Sequence, residues 1–233
     1  MFLSMMVSIV YDFDSSFSPL LLSCFITAMA GIFPLIFVRK NENINIKEGF
    51  TIIILSWFLS CLFGMLPYLL WGGGEFSMMN AWYESVSGYT TTGSTILRDI
   101  ESLPHGLLFW RSSTHFLGGI GVVIFMLLIL PSASTFRMRL SKMEISSLSQ
   151  ENYKFKTKQT IKIISSVYVG LTVLAFILLK IAGMGWFDAI NHAFSVVATG
   201  GFSTKNLSIL YYHSLPIEII MSVFMLLASL HFG

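Results

Sequence analysis

Long apolar stretches constrain this chain more than any other feature. They cover residues 17–38, 49–71, 106–130, 163–179 with its flanks, and 215–232. A bilayer hydrocarbon core of roughly 30 Å needs about 20 apolar residues in an α-helix. Because backbone polar groups in lipid must be hydrogen-bonded within their own segment, the pattern predicts an all-α membrane protein. Only 11% of the 233 residues are charged, against about 25% in a soluble domain.

The N-terminal part, residues 1–48, is predicted to hold one or two accessory helices. Residues 1–11 are apolar, but as a helix they reach only about 16 Å, which is half of a span. We therefore expect the first of these helices to be incomplete.

Basic residues predict the orientation in the membrane. Most of the 14 lysines and arginines fall in two segments, 39–48 and 131–162. The positive-inside rule places both on the cytoplasmic side. The polar segment 131–160 is expected to be a basic linker along the inner surface, where it would be attracted to anionic lipid. The net charge of +2 argues against a nucleic-acid partner.

Two crossings separate those basic segments, so the stretch between the crossings must begin and end outside. That stretch contains a short helical pattern at 77–88, about 18 Å long, followed by "YTTTGST" at 89–95. A helix of this length cannot cross the bilayer. The sequence therefore predicts a re-entrant loop that dips into the membrane from the outside.

The same layout occurs twice. Residues 163–179 lead into "WFDAINHAFSVVATGGFSTKN" at 186–206, and "SLP" occurs at 102–104 and again at 214–216. An offset of 108 aligns Ala81 with Ala189, Ser87 with Ser195, Thr91 with Thr199, and Gly93 with Gly201. The repetition predicts one helix–loop–helix unit used twice, at 49–130 and at 161–233.

A glycine- and hydroxyl-rich loop at membrane depth suits a cation. Irregular backbone is tolerated there when it is packed in protein or lines water. The C-terminal end of the preceding helix is partially negative, and glycine lets successive carbonyls face one side. Weak oxygen ligands of this kind conduct alkali cations. Hydroxyl-rich turns also stabilise helix ends, but two of them at matching repeat positions favour the ion.

Several motifs carry a resemblance to a known family. They are "EGFTIII" (48–54), "ESVSGYTTTGST" (84–95), "SLPHGLLFWR" (102–111), "FLGGIGVVI" (116–124), "FDAINHAFSVVATGGFST" (187–204) and "LLASLHF" (226–232). From about residue 10 onwards the chain resembles the Trk/Ktr/HKT potassium transporters, most closely their TrkH branch. The resemblance implies a potassium-channel-like pore of four helix–pore loop–helix repeats in the bacterial inner membrane. With two such repeats, the chain resembles the N-terminal half of a subunit.

The resemblance also implies the ion ligands. The carbonyls of a potassium selectivity filter would be those of Thr91, Thr92, Gly93 and Ser94 in the first loop, and of Thr199, Gly200, Gly201 and Phe202 in the second. Within the superfamily a serine at a filter glycine is linked to sodium permeation. The glycines at positions 93 and 201 favour potassium, although sodium stays open.

The partners implied by the resemblance complete the pore and regulate it. Two further filter strands would come from a missing C-terminal half or from a second copy of the chain, and the full transporter is expected to be a homodimer. A TrkA-like nucleotide-binding subunit is expected on the cytoplasmic face.

Two charged residues near the membrane are expected to pair. Glu84 and Arg111 are expensive in lipid unless they are partnered, and their pairing would brace the short helix against the following span. Arg111 could alternatively extend to the headgroups. The glycines of "GGIG" at 118–121 are either a close-packing face or a gate hinge.

Other functions stay open. No nucleophile–base pair or phosphate-binding loop predicts an enzyme, and no ligand spacing predicts another metal site. The alternatives are a non-conducting membrane remnant or scaffold, and a secondary transporter for another solute, a class that also uses broken helices.

Overall fold

The computed structural model describes residues 1–37, 46–72, 74, 76–139 and 147–230. Over these residues the chain forms α-helices without strands, which confirms the all-α prediction for the described part. The helices are α1 (Phe2–Val10), α2 (Phe17–Phe37), α3 (Ile46–Gly64), α4 (Leu66–Trp71), α5 (Met78–Tyr89), α6 (His105–Arg139), α7 (Ser147–Ile181), α8 (Trp186–Val197) and α9 (Leu215–Leu230). A short 3-10 turn at Ser208–Tyr212 precedes α9.

Three segments of the described chain are long and apolar enough to cross a membrane. They are Phe17–Ile36, Glu48–Trp71 and Gln159–Ile181. The second is broken, because α3 ends at Gly64 and Pro67 lies in the first turn of α4, where proline is tolerated but cannot continue the preceding helix.

The two remaining apolar stretches are also helical. Residues 106–130 lie within α6, which is 35 residues long. Residues 215–230 lie within α9, a shorter apolar helix of 16 residues; residues 231–233 are outside the described part.

The short helices α5 and α8 have the same length and equivalent bounds. Met78–Tyr89 and Trp186–Val197 contain 12 residues each and correspond at the offset of 108. Twelve residues make about 18 Å of helix, so neither spans a bilayer. The helix predicted at 77–88 begins one residue later, because Ser77 is its N-cap and its hydroxyl accepts from the Asn80 N–H at 3.3 Å.

Each repeat has its own apolar core. The first core lies around α4, α5 and the start of α6 and includes Tyr68, Ala81 and Leu107. The second lies around α7, α8 and α9 and includes Leu179 and Ala193. Helix α6 packs against both α5 and α8, so it lies between the two short helices.

The described parts of the predicted linker 131–160 are helical. Helix α6 continues to Arg139, and α7 begins at Ser147. Residues 140–146 and most of the other predicted basic loop, at 38–45, lie outside the described residues.

The chain between α1 and α2 is tied to the start of α6 by Asp14. Its Oδ2 accepts from the Gly106 N–H at 3.0 Å, and its Oδ1 accepts from the hydroxyls of Ser8 and Ser16. Burial alone would raise the pKa of this carboxyl, but the hydrogen bonds outweigh burial and hold the pKa below its usual value. A carboxylate at a helix N-terminus is stabilising, so Asp14 anchors the chain between α1 and α2 on the start of α6.

Candidate ion site at the two short-helix loops

The loop that follows α5, residues 90–95 and called the first loop here, begins with a tight reversal of the chain. The Thr91 N–H donates to the Gly88 carbonyl at 3.1 Å, and the Thr92 N–H donates to the Ser87 carbonyl at 3.0 Å. These two bonds form a Schellman motif, which places its turning residue in the left-handed region. Thr91 has φ +53° and Gly93 has φ +76°. Left-handed backbone is unfavourable for a β-branched residue and is characteristic of functional sites.

The loop that follows α8, residues 198–203 and called the second loop, repeats this geometry. The Thr199 N–H donates to the Val196 carbonyl at 3.0 Å, and the Gly200 N–H donates to the Ser195 carbonyl at 2.9 Å. Thr199 has φ +52° and Gly201 has φ +103°. Both bonds and both positive φ angles fall at the offset of 108, so the two loops are copies of one structure.

Most carbonyl oxygens of the two loops accept no hydrogen bond from the described residues. Among the described residues, no N–H or O–H group donates to the carbonyl oxygens of Thr91, Thr92, Gly93, Thr199, Gly200, Gly201 and Phe202. Ser94 differs, because its carbonyl accepts from the Ser87 hydroxyl at 2.6 Å. The loops therefore offer unpaired main-chain oxygens, while the Ser94 carbonyl is turned toward α5.

The two loops contact each other through their main chains. A Cβ added at Gly93 would overlap the carbonyl oxygen of Gly200. A Cβ added at Gly201 would meet no described heavy atom within 4 Å. Glycine at position 93 thus permits both the close approach of the loops and its positive φ, whereas glycine at 201 permits the backbone angle alone.

Glu84 and Arg111 form a buried ion pair behind the loops. Arg111 Nε lies 2.5 Å from Glu84 Oε1, and the side chains are 2% and 0% exposed. Glu84 also accepts from the Thr95 hydroxyl at 3.0 Å and from the Ile96 N–H at 3.3 Å. Arg111 donates a second bond, at 3.0 Å, to the Ser203 carbonyl. The pair therefore joins α5, α6 and both loops.

His192 stands in the second repeat at the position of Glu84. Its Nε2 lies 2.9 Å from the Ser203 hydroxyl, and its Nδ1 lies 2.7 Å from the Asp188 carbonyl. Ser203 is equivalent to Thr95 at the offset of 108. In both repeats, then, a buried side chain of the short helix holds the hydroxyl that follows the turn, with a carboxylate in one and an imidazole in the other.

The glycines of α6 admit the ends of both short helices. A Cβ at Gly118 would overlap the main chain of Tyr89, the last residue of α5. A Cβ at Gly119 would crowd Ala198, the C-cap of α8. Small residues let membrane helices approach closely, so these contacts favour the packing interpretation over a hinge.

Asn206, three residues after the second loop, links the two repeats. It donates from Nδ2 to Asp99 Oδ1 at 2.8 Å, and its Oδ1 accepts from the Ile100 N–H at 2.6 Å. Its own N–H donates to Glu101 Oε1 at 3.1 Å. Lys205 Nζ lies 3.9 Å from the Glu101 carboxylate. These contacts fix one loop relative to the other.

Three side chains support the loops through contacts that the sequence does not predict. They are the rings of His115 and Phe202 and the hydroxyl of Ser195, all buried. Their signals were present in the sequence, because Ser195 aligns with Ser87 at the repeat offset and His115 stands four residues after Arg111 on one helix face. Their contacts depend on tertiary packing, which the repeat alone does not define.

Taken together, these features define a helical membrane protein over the described residues, in which α5 and α8 and the loops that follow them have equivalent geometry. The family model described as "TrkH: Cation transport protein" matches residues 20–233, and the chain belongs to this family. This confirms the resemblance seen in the motifs.

Individual relatives agree. The chain is 38% identical over 196 residues to the Trk system potassium uptake protein TrkH of Halomonas elongata, covering 84% of this chain and 41% of that protein. It is 40% identical over 186 residues to TrkI of the same organism, covering 79% and 37%. The chain thus spans about two fifths of the length of these relatives.

A solved structure shows the same fold. The crystal structure of the potassium transporter TrkH from Vibrio parahaemolyticus superimposes with a TM-score of 0.83 at 30% identity. The match covers 97% of this chain and 45% of that one.

Proposed function

We propose that this chain takes part in potassium uptake by supplying two of the loops that line a cation pore. The observation that carries the proposal is the pair of equivalent loops in which the carbonyl oxygens of residues 91–93 and 199–202 have no donor among the described residues. Two relatives that are 38% and 40% identical to this chain are Trk system potassium uptake proteins, which supports the proposal.

The loop geometry suits a partly dehydrated alkali ion. Carbonyl oxygens replace the hydration shell of a potassium ion, and neutral ligands release it again. The C-terminal ends of α5 and α8 both lead into the loops, so their partially negative ends favour a cation there. In this proposal the ligands are the carbonyls of Thr91, Thr92 and Gly93 and of residues 199–202, and Ser94 takes a lesser part because its carbonyl is already bonded.

The buried ion pair has a supporting role in the proposal. Glu84 is neutralised by Arg111, so the carboxylate does not trap the cation, and the arginine holds both loops in position through Glu84 and Ser203. The brace predicted from the sequence thus extends from α5 to the second repeat.

We further propose how the chain is arranged in the membrane and assembled. Residues 1–48 are accessory helices, 49–130 and 161–233 are the two repeats, and 131–160 connects them on the cytoplasmic side of a bacterial inner membrane. Two more filter strands come from a further polypeptide or from a second copy of the chain. A TrkA-like nucleotide-binding subunit docks near the basic connection, and the complete transporter is a homodimer.

Complementation tests the proposal. The chain is expressed in a potassium-uptake-deficient strain, alone and with a polypeptide that carries two further helix–loop–helix units, and growth and rubidium uptake are measured at low potassium. We expect uptake in at least one setting. Protein that reaches the membrane but supports no cation flux in either setting would favour a scaffold.

Matched variants test the ion preference. Gly93→Ser and Gly201→Ser are expected to raise sodium flux relative to rubidium flux. Leu117→Ala, at an exposed position of α6, serves as the control and should leave the ratio unchanged. If both serine variants leave the cation ratio unchanged while transport of another solute is lost, the secondary-transporter alternative gains.

A further inference from the structure

Two side chains of α6, one turn apart, hold the second loop through Phe202. The Arg111 guanidinium carbon lies 3.8 Å from the centre of the Phe202 ring. The His115 ring stacks on the same ring with 4.0 Å between centroids and 10° between planes. Both groups are thus at stacking distance from the centre of the Phe202 ring. The second loop is therefore held by α6, a helix of the first repeat.

A hydrogen-bonded relay continues from His115 to the loop backbone. His115 Nδ1 lies 3.2 Å from the Ser195 hydroxyl oxygen, and that oxygen accepts from the Gly201 N–H at 3.0 Å. Because the hydroxyl oxygen already accepts from Gly201, its proton is available for His115 Nδ1. His115 also lies against Gly200, where an added Cβ would overlap the imidazole ring. The imidazole thus defines the position of three consecutive residues, 200–202.

The first loop is held in another way. There the equivalent serine, Ser87, donates directly to the Ser94 carbonyl. Among the described residues, His115 Nε2 has no hydrogen-bond partner. The hydrogen bond of the His115 ring therefore goes to Ser195 of α8, which in turn holds the second loop.

We propose that His115 is a positioning residue that sets the ion-facing conformation of the second loop from the first repeat, through Ser195. The consequence for ion selectivity rests on the proposed function, whereas the effect on loop conformation does not. The repeats are then not independent, because the second loop depends on a side chain of α6, which belongs to the first repeat. With the "SLP" motifs aligned, the residue of α9 at the position of His115 is Leu227.

Cysteine labelling tests the conformational part without transport. In the full chain with Cys24 and Cys61 replaced by alanine, Thr199→Cys reports on the second loop and Thr92→Cys on the first, both at exposed positions. We expect His115→Phe, which keeps a flat ring but loses the hydrogen bond, to raise the labelling rate at position 199 about two- to tenfold, as for one net hydrogen bond. The rate at position 92 should change less than twofold.

Two further variants separate the relay from general packing. His115→Asn places a polar side-chain atom where Nδ1 lies, so the labelling rate at position 199 should stay close to that of the parent. Ser195→Ala should behave like His115→Phe, and the two together should add little to either alone. An unchanged rate at position 199, equal increases at both reporters, or a larger effect of Asn than of Phe would overturn the proposal.

Selectivity provides the second readout. Where co-expression gives rubidium uptake, His115→Phe should lower the preference for rubidium over sodium, and His115→Asn should restore it. A labelling difference without any cation flux in the parent would contradict the proposed function and leave the positioning role standing. Cation flux in the parent, together with a labelling rate at position 199 that does not change in His115→Phe, would contradict the positioning role alone.

Discussion

A methyl group added at two helical glycines should change stability in opposite directions. Gly118 lies in α6 against the end of α5, where a Cβ would overlap the main chain of Tyr89. Gly170 lies in α7 at an exposed position, where a Cβ would meet no described heavy atom within 4 Å. Both residues are within helices, so the change in backbone preference is the same and the difference measures the contact.

Helix propensity and overpacking together determine the expected change in the free energy of unfolding. Alanine is favoured over glycine in a helix by about 0.5–1 kcal/mol, so Gly170→Ala should stabilise the protein by up to that amount. Overpacking costs about 1–3 kcal/mol, and main chain cannot move aside as a side-chain tip can. Gly118→Ala should therefore be destabilising by about 1–2 kcal/mol net.

Thermal unfolding in detergent measures the pair. In a chain of this size each kcal/mol shifts the midpoint by about 2–4 °C, so the two variants should lie on opposite sides of the parent. Equal shifts, or stabilisation by Gly118→Ala, would refute the conclusion that the glycine face of α6 receives the end of α5. Gly118→Ala should also reduce rubidium uptake, because the displaced helix end carries the first loop.

Other predictions concern the ion pair, the strained turn and the N-terminal anchor. Glu84→Gln or Arg111→Gln should each destabilise the protein by about 3–5 kcal/mol, because each leaves an uncompensated buried charge, and the double variant should cost less than the sum in thermal unfolding. Thr91→Gly should increase the free energy of unfolding by up to about 1 kcal/mol, since glycine adopts φ +53° without a Cβ penalty. A lower unfolding midpoint would show that the threonine side chain stabilises the protein by more than the backbone strain costs. The folded-state pKa of Asp14 lies below the usual 3.8, so its stabilisation is present above that pH and is lost as the pH falls through the lower folded value. Asp14→Asn should accordingly lower stability at pH 7 and flatten the loss of stability below pH 3.8, and an unchanged acid profile would contradict the anchoring role.

The helices and the repeat could be predicted from sequence because length and composition determine them. A helix of 12 residues cannot span a bilayer whatever surrounds it, and the equivalence of α5 and α8 follows from residues that recur at a fixed offset. The break before Pro67 and the helical continuation beyond 131 show where apolar content alone is insufficient, since both depend on local backbone preferences.

The loop geometry was only partly predictable. The glycines at 93 and 201 look alike in sequence and both serve a positive φ, yet only Gly93 also serves the contact with the other loop. The pairing of Glu84 with Arg111 could be expected from the cost of isolated charge in lipid. The bond from Arg111 to Ser203 could not, because it requires the second loop to lie against a helix 92 residues earlier in the chain.

The most direct test of the account is the position of a bound alkali ion. A structure of the assembled pore in rubidium, phased to show anomalous density, should place a peak in contact with the carbonyls of Thr92 and Gly93 on one side and of Gly200 and Gly201 on the other. Rubidium uptake by an assembly whose ion density lies away from both loops would contradict the account.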